Sequence, residues 1–176
     1  MIPLLILAAA LTLQTHPLAE LSTDQIRREL NALYQRAGAA YVAARTIDDM
    51  EAARDWLDTP DCRYRDYGQP FRTWAGMRPF VIMGLQTPIK AFSTHIDKID
   101  VDVPTNTVIT TTTVKGVAHV IDAEGRFGAR GAAHDVETTA TILDTWVRTS
   151  SQWRRKVHDK IAPNVVTAID GKAALR

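Results

Sequence analysis

The sequence has little cysteine and almost no net charge, and both shortages exclude classes of function. Cys62 is the only cysteine among 176 residues, which excludes an internal disulfide and any zinc site built on cysteine. A lone cysteine is usually a small buried apolar residue, so a disulfide-linked dimer is the weaker alternative. Lysine and arginine number 21 against 20 aspartate and glutamate residues, so no long-range field attracts nucleic acid or an anionic membrane. We therefore expect no nucleic-acid partner.

The motifs that hold cofactors and metals are also missing. Gly125, Gly128 and Gly131 stand in a polar connection rather than between a strand and a helix, so they form no phosphate loop. No Gly-x-Ser-x-Gly elbow is present for a hydrolase nucleophile. Four histidines have neither HxH nor HExxH spacing: His95, His119, His134 and His158. We expect no cofactor and no metal, and the roles of these histidines stay open.

The N-terminus differs from the rest of the chain. Residues 2–13 are almost wholly apolar, and no lysine or arginine precedes Arg27. A run of about 12 residues is too short to span a bilayer, so no membrane span is expected. The pattern predicts a signal peptide over residues 1–19, cut near Gln14 or after Ala19, and hence a periplasmic or secreted protein. The alternative is an N-terminal helix that packs on the domain or on a partner chain.

The chain length predicts one domain, which we place at residues 20–162, followed by a C-terminal tail over 163–176. Its first helix begins at Ser22 and Gln25, which have capping-box spacing, and ends near Arg45. A second helix begins at Thr46 and is closed by Pro60.

A strand is predicted over 61–66, and a third helix from about Arg78, with Pro79 in its first turn. Alternating and β-branched segments then predict an antiparallel meander of four strands over 99–103, 107–120, 138–148 and 153–161. The fold class is therefore α+β, with a curved antiparallel sheet wrapped around three N-terminal helices.

Alternation predicts which side chains share the concave face of the last hairpin. In a regular ladder these are Ile142, Asp144 and Trp146 on one strand and Val157, Asp159 and Ile161 on its neighbour. Carboxylates in such an apolar cavity neutralise, pair or do chemistry. The same ladder turns Arg155 towards the cavity rim, where it could meet an anionic ligand or Asp144. It points His158 away from Asp144, unless a bulge shifts the register.

Two segments resemble a known superfamily. They are Asp66-Tyr67-Gly68-Gln69-Pro70, ending at Gly76, and the hairpin Leu143-Asp144-Thr145-Trp146-Val147-Arg148 with Trp153-Arg154. Together with the element order over residues 21–161, they resemble the ketosteroid isomerase-like and nuclear transport factor 2-like superfamily, and most of all its exported SnoaL-like domains. The resemblance implies a cone-shaped domain around an apolar ligand pocket.

The resemblance also implies a catalytic set. Asp66 matches the general base, Tyr41 the tyrosine that binds an oxyanion, and Asp144 a second acid that burial keeps protonated. Each has a structural alternative: Tyr41 as a core tyrosine, Asp66 as an Asx turn, and Asp144 as an acid shared with relatives that are not enzymes. The implied pocket lining is Tyr64, Phe80, Met83, Ile142, Trp146, Val157, Asp159 and Ile161. A scheme of the scytalone dehydratase kind uses cavity histidines instead.

Two functions follow. The first is an exported pocket domain that binds a small, mostly apolar or aromatic molecule, with acid–base isomerase, dehydratase or cyclase chemistry. The second is a non-catalytic ligand- or protein-binding module that acts as a homodimer through the outer face of the sheet. Leu143, Thr145 and Val147 favour that dimer, and the alternation predicts three cations facing solvent: Arg154, Lys156 and Lys160.

Overall fold

The computed structural model describes residues 18–149 and 152–174, so most of the predicted signal peptide lies outside the described residues. A short 3₁₀ helix, Leu18–Glu20, leads into three α-helices. These span Thr23–Ala43 (α1), Ile47–Leu57 (α2) and Trp74–Gly84 (α3).

The strands form one mixed sheet. They are Asp58–Arg65 (β1), Ile89–Asp102 (β2), Thr107–Ile121 (β3), Ala133–Thr149 (β4), Gln152–Lys160 (β5), Val165–Ile169 (β6) and Lys172–Ala173 (β7). The order is β1-β5-β4-β3-β2, and β2 to β5 form the predicted antiparallel meander. The predicted α+β fold class is confirmed, and the sheet is mixed because β1 pairs with β5 in parallel. Register shifts within the β2–β3 and β4–β5 ladders bend the sheet around the helices.

Helix α1 fills the inside of the curved sheet. Its start is the predicted capping box, in which the Ser22 hydroxyl accepts the Gln25 amide and the Gln25 side chain accepts the Ser22 amide. A Cβ atom added at Gly38 would lie 2.7 Å from the Phe92 ring on β2, so the glycine allows the close approach of helix and sheet. The core lies between them, and its buried apolar residues include Leu18, Ile26, Leu30, Leu57, Ile96, Val108 and Trp146.

Helix α3 begins four residues before the predicted start at Arg78. Thr73 precedes its first residue, Trp74, and Pro79 therefore lies inside the helix rather than in its first turn. Because proline has no N–H, it removes a helical hydrogen bond there. None of the residues of α3 is buried.

The segment 163–176, expected to be a tail, contributes two strands to the sheet. Strand β6 pairs with β4, and β7 folds back on β6. The turn between them is Asp170-Gly171, and both residues have positive φ, at 49° and 74°. These angles are those of the tight hairpin turn that an Asp-Gly pair favours.

Across residues 18–149 and 152–174, no helix is both long enough and apolar enough to cross a membrane.

Candidate active site

A cavity of about 340 Å³ lies between α1, α2 and the inner face of the sheet. Its apolar walls include Ala37, Leu57, Phe92, Val114, Ala140 and Ile142, and its polar side chains include Tyr34, Tyr41, Asp144, Arg155, His158 and Lys160. Along β4 the lining runs from Thr138 to Asp144, and six residues of strand span about 20 Å. The cavity is therefore long and largely apolar, with its charged groups gathered at the Asp144 end.

A bulge in β5 decides which side chains reach that end. The ladder pairs Trp146 with Arg155 but Thr145 with Val157, so one extra residue of β5 sits between these pairs. Beyond the bulge, Asp144 pairs with His158 and Ile142 with Lys160. The predicted regular register is therefore wrong: His158 and Lys160 face the cavity.

The bulge turns the alternate side chains of β5 to the other face of the sheet. Val157, Asp159 and Ile161 do not line the cavity, although all three were expected to do so. Asp159 is buried instead against Arg65, whose Nε and Nη2 donate to its two carboxylate oxygens at 2.7 Å and 2.5 Å.

Asp144 is fully buried, with 0% of its surface exposed. The Tyr34 hydroxyl donates to Oδ2 at 2.6 Å, and Nδ1 of His158 lies 2.7 Å from Oδ1. Burial alone would raise the pKa of Asp144, but the charges of His158 and Arg155 and the hydrogen bonds from His158 and Tyr34 together lower it below its usual value. Asp144 is therefore an ionised acceptor, a state that differs from the protonated donor that the resemblance implied.

The ionised carboxylate fixes the tautomer of His158. Nδ1 lies 2.7 Å from Asp144 Oδ1 and 2.9 Å from Arg155 Nη1. Because the pKa of Asp144 is lowered and its carboxylate is ionised, Nδ1 carries the proton and donates it to Oδ1, and the Arg155 contact is not a second hydrogen bond to that nitrogen. In the tautomer with its proton on Nδ1, Nε2 carries the lone pair of the ring. Among the residues that the structure describes, Nε2 has no hydrogen-bond partner, and the side chain lines the cavity.

Arg155 is a buried cation, and one of its nitrogens makes only a long hydrogen bond. Its Nε donates to Asp58 Oδ1 at 2.8 Å, and the Tyr64 hydroxyl donates to the other Asp58 oxygen at 2.6 Å. Burial would lower the pKa of Arg155, but Asp58, Tyr41 and Asp144 raise it well above its usual value. Nη2 makes only a 3.5 Å contact with the Tyr41 hydroxyl. Nη1 lies 2.9 Å from His158 Nδ1 and 3.8 Å from Asp144 Oδ1, so Nη2, beside Tyr41, is the weakly bonded nitrogen of the guanidinium.

Tyr41 lines the cavity as a hydrogen-bond donor. Burial raises the pKa of its phenol, an effect that the nearby Arg155 charge reduces but does not cancel. The hydroxyl therefore keeps its proton. It accepts the weak bond from Arg155, which leaves that proton free for a ligand.

Asp66 lies apart from this group. Its side chain is 56% exposed and pairs with Lys160, whose Nζ lies 2.7 Å from Oδ1, and it does not line the cavity. Burial would raise the pKa of Asp66, but the hydrogen bonds from Lys160 and the Tyr67 amide lower it. The structure therefore brings Tyr41 and Asp144 to one cavity and leaves Asp66 outside it.

Of the eight residues predicted to line the pocket, only Ile142 lines the cavity. Besides the three displaced by the bulge, four others lie elsewhere. Trp146 is fully buried in the core, where its Nε1 donates to Thr110. Tyr64 is buried behind the cavity wall on Asp58. Phe80 and Met83 are exposed on α3, a helix with no buried residue.

Tyr34 was not predicted as a site residue, and His158 and Lys160 were predicted on the wrong face of β5. The apolar spacing of α1 contains Tyr34, four residues after Leu30 and three before Ala37, so its position was available from the helical period. The positions of His158 and Lys160 depend on the bulge, for which alternation offers no signal. Arg155 does reach the cavity, as the ladder predicted.

In the part of the chain that the structure describes, no three His, Cys, Asp or Glu side chains are placed to bind an ion together. The chemistry available is proton transfer by an imidazole, with a phenol and a guanidinium as donors.

No protein-family model and no curated protein sequence matches this chain. Solved structures match it through their folds. A conserved protein from Planctomyces limnophilus superposes with a TM-score of 0.58 at 14% identity, over 81% of this chain and 98% of its own. The protein Aln2 from a Streptomyces species gives 0.54 at 19%, over 81% and 94%.

A nuclear transport factor 2-like superfamily protein from Salmonella enterica superposes with a TM-score of 0.54 at 14% identity, over 81% of this chain and 94% of its own. The chain therefore has the nuclear transport factor 2-like fold, as the resemblance of its sequence to that superfamily predicted.

Proposed function

We propose that the cavity binds a small, mostly apolar molecule carrying one oxygen function, and that His158 is a general base in an isomerase or dehydratase reaction. The observation that carries this proposal is the pair formed by Asp144 Oδ1 and His158 Nδ1 at 2.7 Å. A buried carboxylate that holds one nitrogen of an imidazole leaves the other as a base of fixed orientation.

The proton transfer follows from this arrangement. Nε2 of His158 takes a proton from a carbon next to a carbonyl, and the electron pair of that C–H bond moves into an enolate. Tyr41 and Arg155 donate to the enolate oxygen in a site walled by apolar residues, where such donors are most effective. The imidazolium then returns the proton to another carbon of the conjugated system, or to a hydroxyl that leaves as water.

This assignment replaces two of the roles expected from the sequence. Asp144 becomes a positioning residue that orients the imidazole, and Asp66 becomes the partner of Lys160 at 2.7 Å. Tyr41 keeps its expected role as a donor to the developing oxyanion.

The test is exchange of carbon-bound protons with solvent. We expect the protein in D₂O to speed deuterium incorporation next to the carbonyl of 2-tetralone, followed by NMR, and His158→Asn to lower that rate by about 100-fold or more. His95→Asn, at an exposed histidine, is the matched control and should keep the full rate. Full exchange in His158→Asn refutes the assignment of the base.

The same assay separates the non-catalytic alternative. A wild-type protein that binds 2-tetralone, measured by calorimetry, without speeding exchange is a binding module of the same fold. A protein that neither binds nor exchanges this probe refutes the pocket function for flat ketones.

Homodimer formation remains part of the proposal. The outer face of β4 carries Leu143, Thr145 and Val147, all uncharged and partly buried in this chain. Arg154 opposes Val147 on that face, whereas Lys160, expected there, faces the cavity. We expect light scattering to give twice the chain mass for the wild type and the single mass for Thr145→Arg. A wild-type monomer at all concentrations contradicts the dimer.

Export to the periplasm or medium is also proposed, from the apolar run at residues 2–13. Leu18 is buried in the core, so a cut near Gln14 keeps this contact and a cut after Ala19 removes it. We expect N-terminal sequencing of protein from the producing cell to start between residues 15 and 18. A mature chain that retains Met1 contradicts export by a cleaved signal.

A further inference from the structure

A second cavity, of about 230 Å³, lies beneath α3 beside the candidate active site. Its lining contains no charged residue and consists of Tyr41, Ala44, Met50, Val81, Gly84, Leu85, Thr87, Pro88 and Ile89. Tyr41 and Ile89 line both cavities. The two spaces therefore share a wall that consists of only two side chains.

Helix α3, which roofs the second cavity, is apolar but poorly covered. Arg78 is the only charged residue from Trp74 to Gly84, yet none of the helix is buried. Helices that are apolar on all sides are normally buried. The side of α3 that carries Val81 and Leu85 faces the second cavity instead of packing against other side chains.

Tyr41 links this space to the polar end of the active site, whereas Ile89 lies towards the other end, since its partner Ala118 pairs with Val136. The ring of Tyr41 borders both cavities, while its hydroxyl contacts Arg155 Nη2 at 3.5 Å. A molecule whose oxygen meets that hydroxyl can extend past the ring and Ile89 into an uncharged space.

We propose that the ligand is an amphipathic molecule longer than the main cavity, with a compact oxygen-bearing head at Tyr41, Arg155 and His158. Its aliphatic tail passes Ile89 and fills the space beneath α3. This inference rests on the proposed function of the main cavity and adds the class of molecule that the site accepts. Val81 and Leu85 then set the length of tail that binds.

The test is a homologous series of 4-n-alkylphenols, from ethyl to decyl, titrated by calorimetry. A buried methylene adds about fourfold to affinity, so affinity should keep rising until the tail fills the second cavity. In Val81→Trp the indole occupies that cavity, and we expect the rise to stop at a shorter chain, with the affinity of 4-ethylphenol unchanged.

The matched control is Ile82→Trp, at the next residue of α3, which is exposed and lines neither cavity. It should follow the wild-type series. If Val81→Trp fails to fold by circular dichroism, Leu85→Phe narrows the same space and should shorten the rise to a smaller extent.

The outcomes separate the two proposals. If 4-ethylphenol binds and the long members gain the same affinity in Val81→Trp and Leu85→Phe as in the wild type, this inference is wrong and the active-site proposal stands. If no member of the series binds, both fail for phenolic heads.

Discussion

Replacing Tyr34 with phenylalanine tests the buried network behind the active site. The substitution keeps the ring, which packs edge-on against Trp146 with centroids 5.3 Å apart, and removes one oxygen atom. That oxygen donates to Asp144 Oδ2 at 2.6 Å, accepts from Thr112 at 3.2 Å and lies 2.9 Å from Thr110 Oγ1. All of these groups are buried, so water cannot replace the lost bonds without entering the core.

The magnitude follows from the charge of the acceptor. A hydrogen bond to a charged group contributes about 1.5–3 kcal/mol to the free energy of unfolding, and a neutral one about 1 kcal/mol. Thr110 keeps the bond from Trp146 Nε1, so the loss is dominated by Asp144. We expect Tyr34→Phe to lower the free energy of unfolding by about 2–4 kcal/mol, which lowers the melting temperature by about 5–15 °C in a chain of this size.

The effect depends on pH through Asp144. Its folded pKa is lowered, so the stability gained from its ionised form is present above the unfolded pKa of about 3.9 and is lost as the pH falls through the folded value. The penalty of Tyr34→Phe should therefore be full at pH 7 and shrink in acid, where the carboxyl is protonated and can donate.

Urea unfolding at pH 7 and at a series of lower pH values that extends below the lowered folded pKa of Asp144, followed by circular dichroism, measures this penalty. Tyr67→Phe is the control, because Tyr67 is 52% exposed and should change the free energy of unfolding by less than about 0.5 kcal/mol. A Tyr34→Phe protein as stable as the wild type, or a penalty that does not change with pH, refutes the buried ionised network.

Three further predictions concern residues of strands β1 and β3. Burial and the nearby Asp58 raise the pKa of the Cys62 thiol to about 12. At pH 8 the folded protein should therefore react with Ellman's reagent at least 1000-fold more slowly than the urea-unfolded chain. Equal reaction rates contradict this prediction. Asp58→Ala leaves buried Arg155 without its 2.8 Å partner and should cost about 3–5 kcal/mol in urea unfolding, so a loss below 1 kcal/mol is incompatible with this pairing. Gly116 lines the cavity, and a Cβ atom added there would meet open space. Gly116→Phe should therefore keep the melting temperature and abolish binding of 2-tetralone. Binding as tight as in the wild type places the ligand elsewhere.

The helices were largely predictable because their signals are local. Ser22 and Gln25 form the capping box that their spacing indicates, and Thr46 caps α2 in the same way with Asp49. The start of α3 was misplaced because Pro79 suggested a first turn, whereas the helix tolerates it further in. The sequence pattern around Pro79 does not distinguish these two positions.

The site was harder to predict because it depends on one residue of register. The extra residue after Arg155 exchanges the faces of all later side chains in β5. Asp144 was placed on the inner face correctly, since β4 carries no bulge in its ladder with β3. The ionised state of Asp144 depends on three partners from α1 and β5, and only a folded arrangement brings them together.

The hairpin at the C-terminus has a consequence for the stability of the sheet edge. Strand β4 is 17 residues long, but β5 pairs only with its Ile142–Thr149 end. Strand β6 occupies the same edge further along, from Val136 to Thr139. A chain shortened after residue 162 would present that stretch of backbone amides and carbonyls to other molecules, and unpaired edges of this kind promote aggregation. The hairpin of β6 and β7 therefore covers a strand edge through which molecules of this protein would otherwise pair in a concentrated solution.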